Sequence, residues 1–147
     1  MGFLNSLDIS GSGMTAQQMR MDILAQNIAN ADTTRTEAGG PYRRRMVVFQ
    51  EDPGATAGKF STYLQRARGN QNPGVKVTEI VEDQTDLRPV YDPTHPDANE
   101  EGYVLYPNVD KVKEMADLLS ASRAFQANVT VVNALKSTAS TALQIGR

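Results

Sequence analysis

Asp92 and Asp97 flank His95, the only histidine of the chain, in a segment that also holds Pro93, Thr94 and Pro96. Two carboxylates around an imidazole are ingredients of a divalent-metal site or of acid–base hydrolysis. A metal would need further ligands at set distances and groups behind them to orient the ring. The prolines instead stiffen the segment, and Asp and Thr in such turns bond to nearby backbone. The reading is therefore a turn, with a hydrolase using Asp92, His95 and Asp97 as the alternative.

Two other groups invite chemistry. Arg43, Arg44 and Arg45 form a basic run suited to phosphate, but only Tyr42 and Phe49 supply aromatic faces beside it. A strand carrying solvated or partner-paired arginines fits better. Ser10-Gly11-Ser12-Gly13 lacks the glycine two places before a nucleophilic serine and the lysine that follows a phosphate loop. It reads as an N-cap region that weakens or bends a helix, the alternative being small residues that let helices approach closely. No catalytic, cofactor-binding or metal-ligating set is expected, and the expected protein is not an enzyme.

Composition narrows the frame. The 147 residues carry a formal net charge of −2, no cysteine and 39% hydrophobic residues. Disulfides and thiolate metal sites are excluded, and a nucleic-acid binder would be more basic. Leu, Ile, Val and Phe together make 31 residues, about 21%, just above the roughly 20% below which chains struggle to fold. Such a chain folds in part, or completes its fold on a partner. The longest aliphatic or aromatic run is Met46-Val47-Val48-Phe49, against the ~20 residues of a membrane helix, and no signal-peptide pattern opens the chain.

The elements that must position these residues follow from proline and periodicity. All seven prolines lie between residues 41 and 107, leaving both ends free of the strongest helix breaker. Residues 1–31 read as a helix in which Leu7, Met14, Met21 and Ile28 repeat every seven, joined by Leu24. Asn27 lies among the polar residues opposite this stripe, and Asn27 and Asn30 read as a C-cap or as amides reaching a neighbouring chain.

Residues 109–147 form the second helix, N-capped by Asn108 and ended by Gly146. Leu118, Phe125 and Val132 make one stripe, Ala121, Asn128 and Leu135 its companion, and Met115, Leu119 and Val129 a second stripe. Two stripes need more than one neighbour. Residues 32–108 read as a small irregular β domain with strands at 43–49, 75–81 and 102–106, a polar insertion near 53–74 and a proline-rich stretch over 88–99. The fold class is α+β, with the terminal helices pairing as a coiled-coil-like hairpin. Leftover apolar stripe points to an assembly subunit.

At these residues the chain resembles the bacterial flagellar basal-body rod proteins. Leu7-Asp8-Ile9-Ser10-Gly11-Ser12-Gly13-Met14 leading into Asn27-Ile28-Ala29-Asn30-Ala31 is similar to the N-terminal signature of flagellar axial proteins. Tyr91-Asp92-Pro93-Thr94-His95-Pro96-Asp97-Ala98 and Gly102-Tyr103-Val104-Leu105-Tyr106-Pro107-Asn108 resemble the proximal-rod branch. Ser120-Ala121-Ser122-Arg123-Ala124-Phe125-Gln126-Ala127-Asn128 is similar to the shared C-terminal motif. Only residues 58–74 match no motif.

The resemblance implies a structural subunit of the proximal rod, exported unfolded by the flagellar type III apparatus without a cleavable signal peptide. It further implies polymerisation through the terminal helices into a torque-transmitting shaft around the export channel. The implied partners are further copies, other rod proteins, the adaptor at the rod base and the export apparatus, with neither nucleic acid nor membrane insertion. The implied location is the envelope-spanning basal body. The alternatives are another flagellar axial protein or a non-structural type III export substrate.

Overall fold

The computed structural model describes residues 3–37, 39–52 and 74–145. Helix α1 spans Phe3–Ala29 and helix α2 spans Lys111–Ile145. Between them run strands β1 (Arg45–Asp52), β2 (Gly74–Glu82), β3 (Arg88–Tyr91) and β4 (Tyr103–Tyr106). The fold is α+β: two long helices flank small two-stranded sheets, β1 with β2 and β3 with β4. Gly146 and residues 53–73 of the polar insertion lie outside the described residues.

The helix ends have local causes. Asn30 closes α1, its N–H and side-chain amide both donating to Gln26 O, at 3.0 and 2.9 Å. At the start of α2 the cap is Asp110, whose Oδ1 accepts from the N–H groups of Val112 and Lys113, satisfying donors that have no helical partner. The expected cap, Asn108, is engaged elsewhere, its amide bonded to Arg44 just before β1 and to Asp83 and Thr85 after β2.

Gly11, Ser12 and Gly13 do not interrupt α1, which runs through them. Ser12 Oγ donates back to Ile9 O and Thr15 Oγ1 to Gly11 O. The glycine at 13 serves proximity: a Cβ there would lie 3.0 Å from Asn128 Nδ2 on α2. The close-approach reading is the one the structure shows. Ser12 Oγ also accepts from Val75 N at 3.2 Å, beside Gly74, whose added Cβ would meet that oxygen at 2.5 Å.

Strand β3 lies where the sequence reads as a proline-rich connection. Pro89 lacks a ladder donor, yet β3 has only one neighbour, so a proline is tolerated. It pairs antiparallel with β4, Arg88 opposite Tyr106 and Tyr91 opposite Tyr103. Gly102 precedes β4 at φ +81°, and a Cβ there would stand 3.0 Å from the Tyr91 ring. Asn99 Oδ1 accepts from the N–H groups of Glu101 and Tyr103 and holds the turn.

The chain forms two compact units. One comprises α1 up to Met19, the chain from Phe49 to Thr78, and α2 from Ala121. Its buried residues among those described are Ser10, Ala16 and Ala121, small side chains that let the helix backbones come close. The other comprises Arg20–Val48 and Glu79–Ser120. It buries Ile23, Leu24, Ala31, Tyr42, Val104, Pro107 and Val109 together with two polar side chains, Asn27 and Glu114. Among the described residues no helix is long and apolar enough to cross a membrane.

Candidate assembly site

The second unit is organised by polar groups in its interior. Asn27 on α1 and Glu114 on α2 are both 0% exposed, which demands partners for every polar atom. Asn27 Nδ2 donates to Glu114 Oε2 and to Arg45 O, both at 2.8 Å. Its Oδ1 accepts from Arg45 N and from the Tyr42 hydroxyl, both at 2.9 Å. The amide thus uses all four of its bonding positions. Because it holds both the N–H and the C=O of Arg45, Asn27 acts as a one-residue strand alongside the first residue of β1.

Glu114 closes the other side. Its Oε1 accepts from Arg44 Nε at 2.6 Å, a short charge-assisted bond. Arg44 also faces Asp83, 3.5 Å away. Burial pulls the Arg44 guanidinium down, but the bond and charge of Glu114, with Asp83, outweigh it and raise the pKa above its usual value. Burial likewise raises the Tyr42 hydroxyl, opposed by the charge of Arg45, whose guanidinium lies 5.6 Å over the Tyr42 ring.

Asn108 extends the network. Its Oδ1 accepts from Arg44 N, while its Nδ2 donates to Asp83 O, Thr85 O and Thr85 Oγ1. Asp83 in turn accepts from Thr85 N, and that bond leads the effects holding its carboxyl below the usual range. Two asparagines therefore pin the backbone of Arg44 and Arg45 to both helix ends and to the residues after β2. The arginine run is absorbed by these partners: Arg43 donates to Asp83 O and Thr85 O, and Arg45 faces Glu82 at 3.7 Å.

The segment around His95 is a turn. Asp92 Oδ1 accepts from the N–H and hydroxyl of Thr94, and the hydroxyl bond leads the lowering of the Asp92 pKa. His95 Nδ1 accepts from Asp97 N, and Asp97 Oδ2 accepts from Thr34 Oγ1. Among the described residues, no group of three or more His, Asp or Glu side chains is placed to hold a metal ion.

The stripe residues divide by exposure. Leu24 is buried; Leu7, Met14, Met21 and Ile28 on α1 are half-buried, as are Leu118, Phe125, Val129, Val132 and Leu135 on α2. Met115 and Leu119 are 55% and 53% exposed, and Val112, one turn before Met115, is 78% exposed. With spacing i, i+3 and i+7 these three share one face of α2. Of the motif residues, Gly102 and Asn27 are buried, Asn128 packs on Gly13, and Ala29, Arg123 and Gln126 are exposed. Asn27 is not on a solvent face, because strand β1 begins beside it and its amide replaces a missing strand.

Of the four residues at the buried centre, Asn27, Glu114, Arg44 and Tyr42, the pattern leaves Glu114 unmarked. A signal existed for Glu114: it stands seven residues before Ala121, at the head of the row running on through Asn128 and Leu135. A carboxylate heading a packing row requires a buried partner.

Residues 7–35 match the family described as Flagella basal body rod protein, and residues 100–145 the family described as Flagellar basal body rod FlgEFG protein C-terminal. The chain is 48% identical to the flagellar basal-body rod protein FlgC of Bacillus subtilis, over 97% of each chain. It is 42% identical to FlgC of Borreliella burgdorferi, over 99% of this chain and 98% of the other. FlgC of Escherichia coli O6:H1 shares 43% identity over the full length of both. With two family matches at its ends and relatives that align from end to end, the chain belongs to the flagellar basal-body rod protein FlgC family.

Proposed function

We propose that this chain is a structural subunit of the proximal part of the flagellar basal-body rod and polymerises through its terminal helices. The observation that carries the reading is the face of Val112, Met115 and Leu119, left uncovered on a helix whose other side is packed. Three large apolar side chains in one row favour a protein neighbour over water. The end-to-end identity with proteins named as rod subunits supports the same role and favours a structural subunit over an enzyme.

On this reading, segments 1–31 and 109–147 form the inner, axial layer around the export channel and segment 32–108 lies outside it. Leu7, Met14, Met21, Leu24 and Ile28 serve packing with Leu118, Phe125, Val132 and Leu135, and Met115, Leu119 and Val129 serve contacts between subunits. The partners are further copies, other rod proteins and the adaptor at the rod base. Delivery is through the flagellar type III apparatus, and torque passes along interdigitated helices that spread shear over many contacts.

A clean deletion tests the role. Loss of swimming with basal bodies interrupted at the rod is expected, restored by the intact gene. Normal rods in the deletion strain would overturn it.

A further inference from the structure

The stripes on the helices share a weakness. Leu7, Met14, Met21 and Ile28 repeat every seven residues, and so do Leu118, Phe125, Val132 and Ala139. A seven-residue repeat of this kind offers apolar side chains again after a slide of seven positions, so burial alone selects no single alignment wherever such faces meet. The polar groups behave differently. Seven residues from Glu114 stand Pro107 and Ala121; seven from Asn27 stand Arg20 and Thr34. Neither Pro107 nor Ala121 can accept from Arg44 Nε and Asn27 Nδ2. Neither Arg20 nor Thr34 presents the flat donor–acceptor pair that meets both backbone groups of Arg45.

We propose that Asn27, Arg44 and Glu114 are the register-determining residues of the helix pair, fixing which turn of α1 faces which turn of α2 and where β1 begins. The geometry behind this is the meeting at one buried point of an amide from α1, a guanidinium from the entry to β1 and a carboxylate from α2. Any other alignment strands a buried carboxylate and guanidinium, and a stranded buried charge costs far more than a displaced methyl group. Single buried polar residues set register in helical coils by the same asymmetry. A fixed register also fixes the phase of Val112, Met115 and Leu119 relative to the rest of the unit, but the inference concerns the folded chain and stands apart from its role in the rod.

The chain has no cysteine, so two reporter pairs can be introduced cleanly. Arg20→Cys with Asp117→Cys replaces an ion pair at 3.6 Å, and Asp32→Cys with Lys111→Cys replaces one at 2.6 Å. Each is treated with a short bifunctional thiol crosslinker in the purified full-length chain, with helix content followed by circular dichroism.

In the otherwise unaltered chain both pairs crosslink rapidly. In the apolar variant Asn27→Leu, Arg44→Met, Glu114→Leu, helix content is retained while the rate at both pairs falls about tenfold, equivalent to about 1.4 kcal/mol of register preference. Unchanged rates would overturn the proposal by showing that the stripes align the helices. Loss of helix content would overturn it too, since the three residues would then supply stability and not alignment. Asn27→Leu alone, close in size but with neither donor nor acceptor, gives a second reading: a fall in rate is expected here too, and an unchanged rate contradicts the assignment.

Discussion

Replacing Glu114 by glutamine changes one atom and removes one charge at a fully buried position. The carboxylate accepts from Arg44 Nε at 2.6 Å and from Asn27 Nδ2 at 2.8 Å. The glutamine oxygen can face only one of these donors, so its NH2 meets the other donor head-on. Asn27 cannot turn its amide to help, because both ends are bound to Arg45. One charge-assisted hydrogen bond is lost, worth about 1.5–3 kcal/mol. Arg44 keeps only Asp83, at 3.5 Å. Breaking a buried pair from one side costs about 3–5 kcal/mol in general; the remaining Asp83 contact places the expected loss at the low end, about 3 kcal/mol. For a chain of this length that lowers Tm by roughly 6–12 °C. Urea unfolding followed by far-ultraviolet circular dichroism, together with thermal melts, measures it. The double variant Arg44→Met, Glu114→Leu, which removes both charges, should lose less than Glu114→Gln alone. A Glu114→Gln chain within about 1 kcal/mol of the parent would refute the assignment of Glu114 as the buried centre of the unit.

Four further outcomes are expected. Gly102→Ala forces a side chain into φ +81° beside the Tyr91 ring, at a cost of about 1–2 kcal/mol, read as a lowered Tm without loss of helix content. Tyr42 holds its proton above the ordinary value of 10.0 in the fold, so the unfolded chain releases it first and stability falls as pH rises beyond that value; Tyr42→Phe should flatten the alkaline limb of a pH–stability curve. Asp83 and Asp92 sit below the ordinary 3.8, so their support is present above that pH and lost as the pH falls through their lower values. Finally, Met115→Glu with Leu119→Glu alters only exposed side chains and should leave monomer stability within about 0.5 kcal/mol, yet abolish swimming; wild-type swimming would show that this face meets no neighbour.

The helices were legible because long runs without proline carry a seven-residue repeat, and β1, β2 and β4 because β-branched residues gather between turn formers. Strand β3 escaped notice because Pro89 argues against a strand unless its other edge is free, a fact of pairing and not of local composition. Asn27 was misplaced for a related reason. Polar residues are assigned to solvent by default, and only the three-dimensional meeting of Arg45, Tyr42 and Glu114 gives its amide four partners. The three arginines read as solvated or partner-paired, and the partners themselves were out of sight because they are distant in sequence: Glu114 is 70 residues from Arg44 along the chain. Glycine at 13 was readable as close approach, but the partner that makes it necessary, Asn128, lies on the other helix.

Electron cryo-microscopy of basal bodies isolated from the native cells tests the assembly role most directly. The expected map places this chain in the proximal rod with Val112, Met115 and Leu119 of α2 covered by an adjacent subunit. A rod built without the chain, or one in which this face stays open to solvent, would contradict it.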